Sequence, residues 1–410
     1  MATSVINALS ITPNAFSVAW QDVVTGSTLT AVAGNGYPID TSSNACTITL
    51  PAAASDGDQI IFTDYARNWG TNGIELDSNG LNYQGQDDTY TVEYGTDGQS
   101  VHIVYADATK GWIPISDDDV TDAPTTTNQN GIMGYGYITG AVSMSNIVSN
   151  AGVVATDVTG VGTARYYPSA TEYGGDKALF AYGDTGSLTN LSNLVSNAGV
   201  IATDTTGVGT ARANLAGCAY GTDKGIFGYG RNAVLSLTNL VSNAGVVATD
   251  TTGVGTARQY LAACEYGTDK GIFGYGGGVA GELWSMTNLV SNAGVVATDV
   301  TGVGSGRNDP AALRYSTDKG IFGYGSASGY ISITNLVSNT GVMGSDVTGV
   351  GTARSYLGGT QYGRDKGIFA YGTTGSNVNM SNLVTNVGVV GTDVTGVGTA
   401  RRTLAACSYN

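Results

Sequence analysis

The chain has 410 residues, enough for two or more domains, with 62 glycines and only 12% charged residues. This is unusual for a globular enzyme, and glycines recurring at fixed places indicate tight turns and close backbone approach rather than disorder. A net charge of -15 argues against a nucleic-acid partner, and the lack of an apolar run of about 18 residues argues against membrane insertion.

The N-terminus, Met1-Ala-Thr-Ser-Val-Ile-Asn7, has neither the basic start nor the apolar core of a signal peptide. Residues 1–36 carry Trp20 and apolar patches. They read either as a segment that attaches to a larger assembly or as a strand or two of the next domain. Residues 37–115 turn to strands: Thr47-Ile-Thr-Leu-Pro51, Gln59-Ile-Ile-Phe-Thr63, Ile74-Glu-Leu-Asp77, Tyr90-Thr-Val-Glu-Tyr94, Val101-His-Ile-Val-Tyr105 and Lys110-Gly-Trp-Ile-Pro114. Short alternating runs punctuated by Gly, Asn and Asp predict a small all-β, sandwich-like domain. Residues 116–129 are acidic and Thr-rich, include Pro124, lack apolar periodicity and read as a linker.

Within residues 45–115, the order Leu-Pro51, Gly57-Asp-Gln-Ile-Ile-Phe-Thr-Asp64, Asn72-Gly-Ile-Glu-Leu76, His102-Ile-Val-Tyr105 and Gly111-Trp112 resembles a module of bacteriophage tail and head fibre proteins. The resemblance implies a virion appendage, assembled in the host cytoplasm, often a homotrimer, with other virion structural proteins as partners.

From residue 130 the chain is an array. Asp269-Lys-Gly-Ile-Phe-Gly-Tyr-Gly276 recurs with its final glycine at 183, 230, 325 and 372, after a truncated copy, Asn130-Gly-Ile-Met-Gly-Tyr-Gly136. Spacings of 47, 47, 46, 49 and 47 residues, with four strand-like runs per unit, have the size of a propeller blade. An Arg precedes the first run each time (Arg165, Arg212, Arg258, Arg307, Arg354, Arg401). Arg, small apolar residues, Tyr, then a strand ending in Gly-x-Gly is similar to the kelch repeat, although the outer-strand Trp of that repeat is replaced by Val-Val or Val-Ile. The array begins with a second strand lacking a first, and ends, at Arg401-Arg-Thr-Leu-Ala-Ala-Cys-Ser-Tyr-Asn410, with a first strand lacking a second. Pairing the two completes a sixth blade and removes open edges. The expected fold is all-β: residues 130–410 form a six-bladed kelch-like β-propeller closed by its terminal strands, following the N-terminal sandwich-like domain.

Comparing the repeats with one another separates two ends. From the Ser of each Ser-Asn to the next closing Gly the separation is always 34, as in Ser196 to Gly230. Length varies only between the Gly and the next Ser-Asn or Thr-Asn, from 12 to 15 residues, in the connection between second and third strands. Sequence also varies just after the Arg. In a four-stranded meander these two places emerge at one end, and the constant corners at the other. Loops on a repeated scaffold carry function, so the variable end is the expected binding end, facing away from residues 1–115. Tyr166, Tyr167, Tyr260, Trp284, Asn308, Asp309, Tyr330 and Tyr356 there suit a host-surface receptor or glycan. The alternative is drift in unconstrained loops.

No metal or cofactor is expected. The repeated Asp (Asp157, Asp204, Asp250, Asp299, Asp346, Asp393) before x-Thr-Gly reads as a turn cap, because each repeat offers one carboxylate where calcium needs about six oxygens. The arginines read as structural ligands of carbonyls or of those carboxylates. The Asp-Lys corners read as exposed turns. Cys46, Cys218, Cys264 and Cys407 read as buried free thiols. His102, the only histidine, lies in a strand run, and no Ser/His/Asp or Cys/His set is available in the array. No enzymatic activity is expected; a glycan-cleaving spike would draw on Glu265, Glu282 or Asp309, candidates by type alone. Three functions follow: a receptor-binding appendage, a structural decoration protein contacting other virion subunits, and the spike.

Overall fold

The computed structural model describes residues 18–116 and 129–409, in two compact units, Met1–Thr125 and Thr126–Asn410. Every regular element among the described residues is a strand, so the chain is all-β. Residues 1–17 of the expected attachment segment and 117–128 of the expected linker lie outside the described residues.

The first unit has two sheets. One runs, in spatial order, Ala19–Trp20, Asn35–Ile39, Gln59–Asp64, Ser100–Asp107 and Gly111–Ser116; the other Thr28–Thr30, Cys46–Thr49, Ile74–Asp77 and Val92–Tyr94. Up to Asp77 the chain alternates between the sheets, so strands adjacent within a sheet run parallel: Tyr37 faces Phe62, and Ile48 faces Leu76. The later strands add antiparallel ladders, with Leu76 opposite Val92 and Gln59 opposite Val104. Alternate residues from both sheets (Ile48, Leu76, Phe62, Ile103) enter one core with Trp69 and Trp112. The boundary expected after residue 36 is not one, because Ala19–Trp20 and Thr28–Thr30 supply a strand to each sheet. His102 is a strand residue bonded to Gln59 at 2.8 Å.

The second unit holds six three-stranded antiparallel sheets. A typical one is Ala262–Tyr266, Lys270–Gly274 and Thr287–Val290. In the sheet of Asn130–Tyr137 and Ala141–Val148 the third member is the C-terminal Ala405–Tyr409, with Asn130 opposite Tyr409 and Gly134 opposite Ala405. The first strands, Ser169–Tyr173, Ala216–Tyr220, Ala262–Tyr266, Ala311–Tyr315, Gly358–Tyr362 and Ala405–Tyr409, each lie against the next, and the last lies against the first.

The fourth strand expected in each repeat is not a ladder. It makes two isolated bridges, such as Val195 to Ile201 and Ser192 to Thr205. The cause is a side chain: Asn193 on the third strand donates from Nδ2 to Ala202 O (3.0 Å) and to Asp204 Oδ1 (2.9 Å). Its five counterparts do the same, so an amide side chain takes a carbonyl within the stretch a backbone ladder would use.

Adjacent sheets interlock through the repeated octet. Its Tyr packs edge-to-face with the Phe of the next sheet, as in Tyr229 and Phe273 with ring centroids 5.2 Å apart. That Phe closes over a glycine: a Cβ on Gly228 would sit 2.7 Å from Phe273 Cζ. At the seam between the last sheet and the first, Met133 replaces Phe and packs with Tyr371 and Leu404. The Tyr itself takes a left-handed conformation (φ 62 to 65°) and breaks the ladder register just before the closing glycine.

The six arginines are fully buried. Each guanidinium lies 3.9–4.4 Å from the ring centroid of the preceding octet's Tyr. Arg401 joins the last repeat to the first, donating to Tyr135 O (2.8 Å), Asn146 Oδ1 (2.7 Å) and Met133 O (3.2 Å). Each repeated Asp binds the Thr (Ser305 in one repeat) two residues before the Arg of the preceding repeat; Thr163 donates its hydroxyl to Asp204 at 2.6 Å, and Thr399 of the last repeat donates to Asp157 of the first.

Candidate functional site

The two variable places meet. The residue after each Arg pairs through its backbone with the start of the variable connection in the same sheet: Tyr166 with Asp184, Ala213 with Arg231, Gln259 with Gly277, Asn308 with Ser326, Ser355 with Thr373, Arg402 with Tyr137. One residue further on, the chain turns left-handed in all six repeats, at Tyr167, Asn214, Tyr260, Asp309, Tyr356 and Thr403 (φ 52 to 60°). Only Asn and Asp among these adopt that conformation readily, so the turn is imposed by its surroundings. Those surroundings are a backbone relay between repeats: Tyr167 N–H to Thr403 O (2.9 Å), Thr403 N–H to Tyr356 O (2.9 Å), Asp309 N–H to Tyr260 O (2.8 Å) and Tyr260 N–H to Asn214 O (3.0 Å).

The six turns line one well of ≈ 80 Å³, floored by Pro168, Pro310 and leucines such as Leu215 and Leu404. Tyr167 is its centre, 5.7 Å from the Tyr356 ring and 6.3 Å from the Tyr260 ring. Burial raises the hydroxyl pKa of Tyr167 and Tyr356, and the nearby Asp309 carboxyl raises both further. Burial holds Asp309 well above the ordinary carboxylate range, against the opposing hydrogen bond with Tyr356. Asn214, 6% exposed, has no hydrogen-bond partner for either its Nδ2 or its Oδ1.

Around the well lies a polar and aromatic rim. Tyr166 contacts Tyr167 and Tyr137 at 5.4 and 5.5 Å, Arg231 pairs with Asp184 at 3.0 Å, and Arg402 stacks over Tyr137 at 5.1 Å. Trp284, Asn308 and Tyr330 are not in the well. They form an arc at the same end: Trp284 O accepts from Arg307 N–H (3.4 Å), Asn308 exchanges backbone bonds with Ser326, and Ser326 bridges Tyr330. Tyr330 is 40% exposed.

The eight residues expected to bind thus divide into the well (Tyr167, Tyr260, Asp309, Tyr356), its edge (Tyr166) and the arc. Sequence reasoning missed Asn214, Arg231, Asp184, Arg402 and Tyr137, although each falls in or beside a variable place. It also missed a second cavity, ≈ 50 Å³, enclosed by the middle residues of all six first strands. There Arg314 pairs with Glu265 (2.7 Å) and donates to Gln361 (2.7 Å), while Ser408 bonds Glu172. Burial raises the Glu265 pKa, opposed by Arg314 and reinforced by Glu172. Cys218, Cys264 and Cys407 line the same space as buried free thiols whose pKa burial raises; Cys46 is buried and free in the first unit. The signal was the penultimate residue of the first strand, which varies (Glu172, Ala219, Glu265, Arg314, Gln361, Ser408) just before a constant Tyr.

The three acids named for a cleaving site do not converge. Glu265 lines the inner cavity, Asp309 lines the well, and Glu282 is exposed on a loop where it caps Ala280 N–H at 3.0 Å. Among the described residues no group of three or more His, Cys, Asp or Glu is placed to hold a metal ion. No protein-family model matches the chain, and no curated protein is found similar to it.

Proposed function

We propose that the chain is a bacteriophage virion appendage whose second unit is a receptor-binding head. In this reading the six sheets are the blades of a closed, kelch-like propeller. The Ala405–Tyr409 strand paired with Asn130–Tyr137 supports closure, as do the Met133–Tyr371 seam and Arg401 joining the last repeat to the first. The first unit, two sheets around one core, acts as the sandwich-like virion module its sequence resembles and anchors the chain to the particle.

One observation carries the binding role. Six near-identical repeats differ chiefly at one end, and there the differing residues gather into an aromatic and amide-lined well with the half-buried Trp284 and the exposed Tyr330 beside it. Aromatic faces with hydrogen-bonding groups between them suit a saccharide. The function proposed is binding without turnover, since hydrolysis of a glycosidic bond needs two carboxylates within about 5–10 Å across the bond. The fluorescent chain should adsorb to some members of a panel of bacterial cells, and a Tyr260→Ala, Trp284→Ala, Tyr330→Ala variant with unchanged melting should not. Equal adsorption by both would remove the variable end from recognition.

A second reading, a decoration protein contacting other virion subunits, is favoured by the opposite corners. Val153, Val200, Val246, Val295, Val342 and Val389 are each 59–65% exposed at the same place in every repeat. Binding of purified capsid or tail protein, lost on changing these valines to Ser, would support it.

A further inference from the structure

We propose that the well is a subsite for a secondary acetamide, supplied by an N-acetylated hexosamine at the end of a glycan. The inference rests on the receptor-binding reading above. Its starting point is Asn214. A buried primary amide offers two donors and an acceptor, and leaving them unpaired is costly. A left-handed turn does not demand this residue, since Tyr, Asp and Thr occupy the equivalent places. Asn214 therefore holds a donor and an acceptor unpaired at the wall of a cavity.

A secondary acetamide matches that wall. Its carbonyl accepts from Nδ2–H, and a ring hydroxyl beside the acetamido group donates to Oδ1; the trans amide N–H points the other way. Its methyl then meets the Tyr167, Tyr260 and Tyr356 rings and the leucine floor. The size agrees: a water needs about 10–15 Å³ of such volume, so ≈ 80 Å³ takes the few heavy atoms of an acetamido group but not a pyranose ring, which would rest at the mouth.

The test uses the full chain with N-acetylglucosamine, N-acetylgalactosamine, their unacetylated parents and an N-acetylated dipeptide, read by saturation-transfer NMR. Transfer should be strongest at the acetamido methyl of the sugars and weak or absent for the parents. Asn214→Gly suits the left-handed turn and removes the amide; it should lose at least ten-fold in apparent affinity with unchanged melting. Asn214→Asp should lose the donor and weaken binding. Equal transfer by parents and acetylated sugars, or binding insensitive to Asn214→Gly, would overturn the assignment, and stronger transfer to the dipeptide would overturn the sugar as its source. If no sugar gives transfer while the chain still adsorbs to cells through Trp284 and Tyr330, the well holds water only and the receptor reading survives. If adsorption is absent too, both fall.

Discussion

A guanidinium without access to water is held in each repeat by a ring face and at least one backbone carbonyl, with a carboxylate beyond, and at Arg165, Arg212 and Arg401 by an Asn as well. Burial lowers each arginine's pKa, and the neighbouring Tyr and Asp raise it again. Removing one partner of such a set leaves the others buried and unpaired, at about 3–5 kcal/mol. Arg401→Met should cost that much in urea unfolding. Arg258→Met should cost less, because Arg258 Nε and Nη2 have no partner to lose. The carboxylates carry two opposite signs with pH. Burial pushes the six repeated aspartates up, but hydrogen bonds from Thr (Ser305 for Asp346) and Asn, with the Arg charge, outweigh it and leave them lowered. Their stabilisation is present at neutral pH and is lost as the pH falls through the ordinary aspartate range and below. Asp309 is raised: the folded chain keeps a proton that the unfolded chain releases, so its contribution is lost as the pH rises above the ordinary aspartate range. Asp309→Asn should therefore raise Tm at neutral pH by about 2–4 °C and bring no gain in acid. A lower Tm at neutral pH would contradict the assignment.

At the level of strands and turns, much was legible because the repeats supply their own comparison. Three of four expected strands per repeat are present, and the repeated Arg and Asp play the structural parts their constancy indicated. The fourth was not legible as a broken strand. Its Val-Val and Ala-Thr-Asp pattern is strand-like, and the Asn side chain that takes its carbonyl lies 9 residues away. Strand direction in the first unit was equally hidden, since alternation gives the buried face and not whether neighbours run parallel. The left-handed Tyr was masked by its own type, a strand former; only the glycine after it hinted at the bulge. That glycine is testable. Gly230 has φ 107°, and an added Cβ would lie 2.9 Å from Ala213 O and Leu215 Cβ. Gly230→Ala should destabilise by about 2 kcal/mol or more, and by more than Gly228→Ala: Gly228 has no positive φ, its close contact is the ring tip of Phe273 rather than backbone, and its octet position already carries Ala at 181 and 370. Equal costs for Gly230→Ala and Gly228→Ala would contradict this account of the bulge.

Across the second unit, the pairing of its first and last strands and an asymmetry between its two ends are the features on which the proposed function rests. If the ring is closed, deleting residues 402–410 exposes the Asn130–Tyr137 edge and empties the seam at Met133 and Tyr371, and the truncated chain should aggregate or lose its single cooperative unfolding transition. Retained cooperative melting would favour an open array. At the variable end, self-comparison singled out the tyrosines and Asp309 because they depart from the repeat. It missed Asn214, an ordinary residue for a left-handed turn whose significance lies in two atoms without partners. It also separated Trp284 and Tyr330 from the well only once the backbone pairing was known. The account stands on recognition at the variable end. Its most direct test is hydrogen–deuterium exchange on the full chain, with and without envelope glycan from a bacterium to which the chain adsorbs. Protection should gather at 166–168, 213–214, 259–260, 277–284, 308–310, 326–330, 355–356 and 402–403. Protection at the constant corners instead, around 174–176, 221–223 and 267–269, would place the partner at the other end and contradict the account.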